Sequence, residues 1–588
     1  MNTESKQCQN CHNQFVIEPE DFQFYEKIKV PAPTWCPQCR TIRRFVFKND
    51  LNLFRAQHAV TGKEIFSTYP AASGLKLYDH DYWWSDAWDP MRYGRDYDFS
   101  RPFFEQFKEL LSEVPWAARS IWHLEGSDYC NNASRLKNCY LCFDCDESED
   151  CFYGVGFRHS KNSLDFAQAN YLESCYELFS CDRCYRTFFS VESDDCLDVW
   201  FSRECYNCKN CFGCINLRHK QYYIWNKPYS KEEYGARLAD FNLGSARALN
   251  EMKERVRNFW LRFPVKWMHG THNENVVGEY VYHAKNVKYC YQSDKGVQDL
   301  KYCQRVVNGV STSYDYTHWG DNSELMYEAV TCGENCRNVR FCFECWPACQ
   351  DLEYSMSCHA STNLFGCTGL KKKQYCILNK QYSREEFFVL RKKIIAQMDA
   401  MPYVDARGRV YRYGEFFPPD FSPLAYNEAL AQEFFPLTEQ GAREQGFFWR
   451  ELPHREFETT LRATDLTDHI RDATGDMCKE IISCLGCSRA YRILAHEFEF
   501  YKRFGLPLPR LCHVCRYTER VKLRNPLKWH RRPCMCLSAG SASEDNVYKN
   551  TASHFHGSNH CPNEFETSYA PERPEIVYCE ACYNAEVV

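Results

Sequence analysis

The sequence contains no run of about eighteen apolar residues, the length that a membrane-spanning helix needs. It also starts without the charged and apolar segments of a secretory signal, so we expect a cytoplasmic protein with reduced thiols. The net charge of -6 excludes a uniformly basic coat for nucleic acid, although local basic patches are compatible with it. With 588 residues, the chain is long enough for several domains.

Sequence motifs of the common enzyme classes are also missing. The chain has no G-x-x-x-x-G-K-[ST] phosphate loop, no GxGxxG turn before a helix, no HExxH or GxSxG motif, and no H-x-E…P-C-x-x-C deaminase pattern. No cysteine–histidine pair stands out as nucleophile and base, and the scattered carboxylates do not single out a catalytic pair. These absences favour a protein without catalytic activity and leave a metal-centred enzyme as an alternative.

Cysteine is abundant, with 37 residues, and eight of them form two identical patterns near the two ends. Four N-terminal cysteines recur at a fixed offset of 476: Cys8, Cys11, Cys36 and Cys39, then Cys484, Cys487, Cys512 and Cys515. In each copy two CxxC pairs are separated by 24 residues, the pattern of a tetrahedral zinc site with four thiolates. The sequence therefore predicts a zinc ribbon at each end rather than unrelated pairs of free thiols.

A second module follows each ribbon, and its two copies differ in their cysteines. The C-terminal copy provides a third predicted Cys₄ site from Cys534, Cys561, Cys579 and Cys582. At these positions the N-terminal copy has a poor ligand set, so we expect it to keep the shape without the metal: His58, Thr61, Asp79 and Tyr82. An insertion of 24 residues in the C-terminal copy carries further candidate ligands, or else forms a mobile loop: Cys536, His554, His556 and His560. The cofactor prediction is about three zinc ions.

Between the ends, the cysteines follow a period of three. Thirteen cysteines lie from Cys130 to Cys214, and every separation between them is a multiple of three residues. A helix with 3.6 residues per turn drifts out of this register and a strand alternates its faces, whereas a tight β-solenoid stacks small residues at equivalent corners. The sequence therefore predicts a Cys-rich solenoid with thiols as small apolar core residues. Zinc or iron–sulfur sites at Cys139–Cys145 and Cys205–Cys214 are the alternative.

This array is duplicated, because residues 364–387 repeat residues 211–234 at an offset of 153. A second Cys- and Tyr-rich array with looser spacing precedes the repeat. In both copies a glutamate follows three residues after a serine, at Ser230 and at Ser383. This pattern predicts a capped helix at the end of each solenoid.

The predicted fold is mainly β and multidomain, with zinc ribbons at both ends of a duplicated Cys-rich β-solenoid and short capping helices. Further helices are expected from Phe103 and over 465–482. The predicted segments are zinc ribbon 1 (1–56), a degenerate ribbon copy with an aromatic-rich segment (57–126), array 1 (127–228), helix and linker (229–279), array 2 (280–380), helix and Pro/aromatic linker (381–475), zinc ribbon 2 (476–532) and zinc ribbon 3 (533–588).

Positive charge is concentrated in the ribbons, whereas the first solenoid array is acidic. Eleven ribbon cations are candidates for contacts with nucleic-acid phosphate: Arg40, Arg43, Arg44, Lys48, Arg516, Arg520, Lys522, Arg524, Lys528, Arg531 and Arg532. The alternative is that these charges form ion pairs with the acidic solenoid inside the protein.

Three short motifs are distributed along the chain: CxxC…FYxxxxxPxPxxCxxCR, NKQYSREEF and TSYAPERPEIVYCEACY. In these motifs the chain resembles a family of Cys-rich zinc-ribbon proteins from small-genome, uncultivated bacteria, which has no established activity. The resemblance implies zinc binding and nothing further about function. The insertion between Cys534 and Cys561 departs from the shared pattern.

These observations favour a non-enzymatic zinc-ribbon protein that binds nucleic acid, RNA in particular, through basic ribbon tips. One alternative is a scaffold in which zinc is structural and the solenoid faces hold protein partners. Another is an enzyme with an iron–sulfur or other metal centre in the solenoid. No membrane partner is expected.

Overall fold

The computed structural model describes residues 2–451, 457–537, 548–557 and 559–587, so part of the predicted insertion and of the predicted linker lies outside the described residues. Two compact units are formed, and each joins one pair of ribbon modules to the solenoid array that is distant in sequence. Unit 1 comprises Met1–Ser120, Met268–Glu451 and Leu527–Trp529, and unit 2 comprises Ile121–Trp267, Leu452–Pro526 and His530–Val588. The N-terminal ribbon modules thus belong with the second array, and the C-terminal ones with the first.

Among the described residues, no helix is both long and apolar enough to cross a membrane. The α-helices in chain order are α1 Pro19–Ile28, α2 Pro37–Phe45, α3 His80–Trp84, α4 Phe103–Glu113, α5 Lys231–Ala239, α6 Ala246–Trp260, α7 Arg384–Ala400, α8 Leu430–Phe434, α9 Glu439–Glu444, α10 Ala495–Phe504, α11 His513–Val521 and α12 Glu580–Val587. The predicted helix from Phe103 is α4, and its buried face includes Phe107 and Leu110.

Most of the remaining regular structure is β. The strands of unit 1 are Glu4–Gln7, Gln14–Ile17, Phe54–Gln57, Glu64–Ser67, Leu77–Tyr78, Trp116–Ala117, Glu274–Val281, Lys285–Ser293, Gln298–Lys301, Gln304–Val307, Ser311–Gly320, Tyr327–Val330, Arg337–Phe343, Gln350–Glu353, Thr362–Phe365, Gln374–Ile377, Lys380–Gln381, Tyr403–Val404 and Val410–Tyr411. Those of unit 2 are Ile121–Glu125, Asn131–Lys137, Phe143–Glu149, Val155–Arg158, Leu164–Asn170, Tyr176–Phe179, Leu197–Trp200, Lys209–Phe212, Gln221–Ile224, Lys227–Pro228, Pro264–Lys266, Leu461–Arg462, Ile482–Ser483, Ala490–Tyr491, His530–Pro533, Glu564–Thr567 and Ile576–Tyr578.

Each coil of the first array has twelve residues, arranged as four sides of three. Phe143, Val155 and Ala167 pair in register on successive parallel strands, twelve residues apart. Every third residue from Asn132 to Trp225 has a positive φ, which turns the chain at each corner. This left-handed conformation favours Asn, Asp and Gly, so the corners account for the turn-rich composition of the array. The residue two positions before each corner points into the core, and the period of three in the cysteines is therefore the length of one side of the coil.

Longer coils explain the looser cysteine spacing of the second array. Tyr314 pairs with Tyr327, thirteen residues further on, because one side of these coils carries four residues instead of three. The last coils return to twelve residues, as the pairing of Gln350 with Thr362 shows. The predicted fold class is confirmed: the protein is mainly β, with two Cys-rich solenoid arrays, cysteine clusters at both ends and short helices.

The array cysteines lie in the core as thiols that bond to the backbone. The Cys142 thiol donates to the carbonyl of Cys151 at 3.2 Å, and the Cys349 thiol donates to that of Cys358 at 3.3 Å. Burial raises the pKa of Cys175 to about 12, so this thiol is protonated at neutral pH. Neutral thiols behave as small apolar side chains, in agreement with the packing interpretation.

Capped helices follow both arrays, as the sequence predicts. The Ser230 hydroxyl accepts from the Glu233 backbone N–H at 3.1 Å, and the Ser383 hydroxyl accepts from that of Glu386 at 3.2 Å. In both cases the glutamate side chain accepts in return from the serine N–H, which completes a capping box.

The predicted helix over 465–482 is wrong. This stretch contains no α-helix: its helical segments are short 3₁₀ turns at Ala463–Asp465, Ile470–Asp472 and Gly475–Lys479, and it ends in the strand Ile482–Ser483. The ring of His469 accepts from the Arg471 N–H at 3.1 Å. Local bonds of this kind between side chains and backbone compete with helix formation.

Unit 1 holds its ribbon on the solenoid through two arginines that share one buried aspartate. Arg40 and Arg44, both on α2, lie 2.8 and 3.0 Å from the two carboxylate oxygens of Asp315. Next to them, Phe24 of α1 stacks on Tyr314 of the solenoid with 4.0 Å between ring centroids. Tyr25 also contacts Tyr327, so aromatic residues of the ribbon pack directly on the array.

Unit 2 repeats the arrangement at the offset of 476. Arg516 and Arg520, both on α11, lie 2.8 and 2.9 Å from the two oxygens of Asp165. Burial alone would raise the pKa of Asp165, but the two arginine charges hold it below its ordinary value of 3.8. We refer to Arg40, Arg44 and Asp315, and to Arg516, Arg520 and Asp165, as the two arginine latches.

Replacing Asp165 by asparagine should open the unit 2 latch, because two buried guanidinium groups would lose their shared counter-charge. We expect the local free energy of opening to fall by about 3–5 kcal/mol. Hydrogen exchange of peptides from α11 and Leu164–Asn170 measures it. Asp195→Asn is the matched control, since its ion pair with Arg183 is exposed and should contribute less than about 1 kcal/mol. Equal exchange in both variants would contradict the latch. Because the folded pKa of Asp165 is depressed, its contribution is present at neutral pH and is lost as the pH falls below 3.8.

Candidate metal centres

Three groups of four cysteines have the geometry of a tetrahedral metal site. In each group the four sulfur atoms lie within 4.8 Å of one another. One sulfur–sulfur distance per group is 3.7, 3.7 and 3.8 Å, for Cys11–Cys36, Cys487–Cys512 and Cys561–Cys579 respectively. A tetrahedron with metal–sulfur bonds of about 2.3 Å has edges of about 3.8 Å, so each group fits one ion. The structure therefore brings together all twelve cysteines that the sequence assigns to metal.

In the first group, the two CxxC pairs come from different local structures. Cys8 and Cys11 lie at the turn of the first β-hairpin, whereas Cys36 and Cys39 lie at the start of α2, where Cys36 is the N-cap. Free N–H groups at a helix N-terminus favour negative charge, which suits thiolates. The Cys36 N–H donates to the Cys8 sulfur at 3.2 Å, which links the hairpin to the helix.

The second group has the same construction with α11 in place of α2. The Cys512 N–H donates to the Cys484 sulfur at 3.2 Å. One neighbour differs: the Asn10 side chain donates to the Cys39 sulfur at 3.3 Å, but the equivalent position in the second ribbon is Gly486. Sequence reasoning missed Asn10, whose only signal is its place between two paired cysteines.

The third group joins a hairpin, His530–Pro533 with Glu564–Thr567, to α12. The Cys579 N–H donates to the Cys534 sulfur at 3.2 Å. The side chain of Asn563, which the sequence also did not single out, donates to the Cys579 sulfur at 3.3 Å.

Protonation differs among the thiols within each group. Hydrogen bonds from Cys36 and Cys39 hold the pKa of Cys8 well below its usual range, and the Cys534 thiol lowers that of Cys579 to about 4. Burial raises the pKa of Cys512 to about 11. One thiolate in a group thus disfavours a second, and a bound cation is what allows all four to ionise.

The N-terminal copy of the third module keeps the fold with other chemistry. Its hairpin, Phe54–Gln57 with Glu64–Ser67, has the same register as the C-terminal one. The His58 ring accepts from the Thr61 N–H at 3.2 Å and lies edge-to-face against Tyr82 at 5.0 Å. The Asp79 carboxylate caps α3 by accepting from the Tyr82 N–H at 2.9 Å. At these positions the N-terminal copy thus has ring packing and hydrogen bonds, whereas the C-terminal copy has cysteine sulfur atoms.

Most of the eleven cations predicted to meet phosphate are buried. Arg40, Arg44, Arg516 and Arg520 form the arginine latches. The remaining buried members are Arg43, Lys48, Arg524 and Arg532. Arg43 lies 2.8 Å from both Glu328 and Glu415, and Lys48 lies 2.6 Å from Asp50. For these eight residues the structure corrects the predicted contact, because an enclosed side chain offers no surface to a phosphate. The four latch arginines, together with Arg43 and Lys48, instead form internal ion pairs, which was the alternative prediction.

Three of the eleven cations are exposed: Lys522, Lys528 and Arg531. Lys522 forms an ion pair with Glu519 at 2.6 Å, and Arg531 forms one with Glu564 at 2.7 Å. The predicted nucleic-acid contact is therefore reduced to these side chains.

The insertion contributes a further group of possible ligands. Cys536, His554 and His556 converge on Cys582, with one ligand atom from each within 4.8 Å of the others. His560 lies outside this group, and its ring donates to the Cys561 carbonyl at 2.9 Å.

Known proteins give little guidance about this chain. No family model matches it, and no curated protein matches it significantly. Among solved structures, a protein from Desulfovibrio desulfuricans G20, assigned provisionally as an acetyltransferase, aligns over 37% of this chain and 63% of its own length. The sequence identity is 12% and the TM-score 0.10, so the match carries no argument about fold or activity.

Replacing Cys512 by serine should remove one metal ion per chain. A tetrahedral site loses most of its affinity for the metal when one of its four thiolate ligands is removed. Elemental mass spectrometry of the purified full chain gives the count. Cys478→Ser is the control, since Cys478 is a thiol outside the three groups. Unchanged metal content in Cys512→Ser would contradict the second site.

Proposed function

We propose that the three Cys₄ groups hold zinc and that this zinc is structural. Four thiolates in a tetrahedron are the preferred donor set of zinc in proteins, and such a site leaves no coordination position open for a substrate. Each ion would join a β-hairpin to the start of a helix. In the two ribbons, that helix carries the arginine latch, so metal binding and attachment to the solenoid would be coupled.

We propose that the chain is a non-enzymatic scaffold that holds a protein partner on an exposed edge of its first array. The observation that supports this is a row of side chains spaced twelve residues apart along the corners of the coils. The exposed members are Arg135, Glu147, His159, Tyr171, Arg183 and Asp195. We refer to this row as the corner ladder.

The corner ladder carries side chains of both charge signs. Glu147 bonds to Arg135 at 2.8 Å and to His159 at 2.9 Å, and Arg183 bonds to Asp195 at 2.6 Å. A uniformly negative phosphate backbone would be repelled by the carboxylates, whereas a protein surface can present complementary charges of both signs. Repetition at the strand spacing of about 4.8 Å gives such a surface a fixed register.

RNA binding is a second proposal, and the exposure of Lys522, Lys528 and Arg531 favours it. These three cations lie within ten residues of sequence and reach solvent, although the other eight candidates do not. An iron–sulfur enzyme has less support, because the array thiols donate their protons to backbone carbonyls instead of converging on one point.

A photo-reactive amino acid at Tyr171 of the full chain tests the scaffold proposal in extracts of the native cells. We expect a discrete protein adduct that is lost when the ladder charges are reversed by Glu147→Lys and Arg183→Glu. The same probe at Val60, an exposed position in unit 1, is the control for random capture. An adduct that survives charge reversal would contradict the scaffold proposal.

The RNA proposal has a different readout in the same preparation. Nucleic acid that co-purifies with the chain and dissociates with added salt would favour RNA, as would its loss in Lys522→Gln, Lys528→Gln, Arg531→Gln. If no nucleic acid co-purifies at low or at high salt, the RNA proposal is contradicted and the scaffold proposal remains.

A further inference from the structure

The insertion of the third ribbon places a second set of metal-ligand atoms directly beside the third Cys₄ group. Cys536 is fully buried, and His554 and His556 reach the cluster from the segment 548–557. Their ligand atoms, together with the sulfur of Cys582, all lie within 4.8 Å of one another. Cys582 is also one of the four cysteines of the third group, so two complete four-ligand sets share this one sulfur.

Hydrogen bonds of the two histidines direct the other ring nitrogen of each toward the cluster. The Nε2 of His554 donates to the Glu586 carboxylate at 2.8 Å, which leaves Nδ1 without a proton, 3.6 Å from the Cys536 sulfur. The Nδ1 of His556 donates to the Asn559 carbonyl at 2.6 Å. Its Nε2 is buried and has no hydrogen-bond partner among the described residues. An acceptor nitrogen without a donor in a buried position is unfavourable unless a cation takes that place.

The surroundings are those of a preorganised site. Glu586 orients the His554 ring, the arrangement of carboxylate, histidine and metal found around many zinc ions. The same carboxylate accepts from the backbone N–H groups of Thr551 and Ala552, at 2.9 and 3.1 Å, and so fixes the segment that carries both histidines. The Asn550 side chain donates to the Cys536 sulfur at 3.2 Å, which suits a thiolate.

We propose that the third ribbon holds a binuclear zinc centre in which the Cys582 thiolate bridges the two ions. The first ion would be bound by Cys534, Cys561, Cys579 and Cys582, and the second by Cys536, His554, His556 and Cys582. Two thiolates and two imidazoles in a tetrahedron are a common zinc donor set. This inference rests on the proposed occupancy of the Cys₄ groups by zinc.

A bridging thiolate also improves the charge balance of the centre. A single zinc ion with four thiolates carries a net charge of about minus two, whereas two ions with five thiolates carry about minus one. The second ion would in addition fix the insertion against the ribbon, because it joins the segment 548–557 to Cys582 of α12. The N-terminal copy, which lacks the insertion, also lacks the thiol at the position of Cys582, where it has Tyr82.

Metal content of the full chain tests the second ion. The expected count is four zinc ions per chain, falling to three in His556→Ala and remaining four in His560→Ala, the control from the same insertion. A count of three in the unaltered chain, with no change in His556→Ala, would overturn the binuclear centre while leaving the three Cys₄ sites in place. A count below three would instead overturn the zinc proposed for the Cys₄ groups.

Cadmium-113 NMR of the metal-exchanged chain tests the bridge separately from the count. Two of the four resonances should show a mutual scalar coupling, because a shared sulfur transmits it, and His556→Ala should abolish the splitting while retaining the Cys₄ resonance. Four resonances without any coupling would overturn the bridging role of Cys582. His556→Ala leaves the first ligand set intact, so the test does not depend on a variant that removes both ions.

Discussion

The attachment of the ribbons to the solenoids depends on buried arginines that need a counter-charge. Arg40 and Asp315 are 275 residues apart in sequence, and both side chains are almost completely enclosed. A guanidinium in such surroundings is tolerated only with a carboxylate in direct contact. Asp165 and Asp315 provide it from equivalent corners of their arrays, so each ribbon can settle in one position on the coils. Because of this constraint, the arginines of the two ribbon helices face the solenoid and not the solvent.

Two different uses of cysteine coexist in the chain, and spacing alone does not separate them, since both contain CxxC. In the arrays, three residues make one side of a coil, so successive thiols stack along the core and bond to carbonyls of the chain. In the ribbons, a hairpin turn and a helix start bring four sulfurs to one point. A neutral thiol suits an apolar core, whereas four converging sulfurs require a cation to carry their charge.

Much of the fold could be predicted because it is determined by local, regularly spaced sequence patterns. The period of three predicted the solenoid, and the serine–glutamate pairs predicted two helix starts. The duplicated CxxC pairs predicted eight ligand positions, and comparison of the two copies of the second module predicted four more. The pairing of each ribbon with the distant array could not be predicted, because it depends on single contacts such as Arg516 with Asp165. For the same reason the sequence could not show whether the ribbon cations face solvent or the protein interior. A basic stretch has the same composition whether it faces solvent or a buried carboxylate.

The two copies of the third module show what a metal site replaces. Both have the same hairpin register, so the backbone does not need sulfur at these positions. In the N-terminal copy a histidine, a capping aspartate and a tyrosine ring occupy these positions, and the histidine and the aspartate accept from backbone N–H groups. In the C-terminal copy four cysteines converge, and the insertion adds Cys536 and two histidines to the same side. Side-chain packing can keep this fold without sulfur, so the cysteines and histidines of the C-terminal copy are best explained by the ions that we propose they bind.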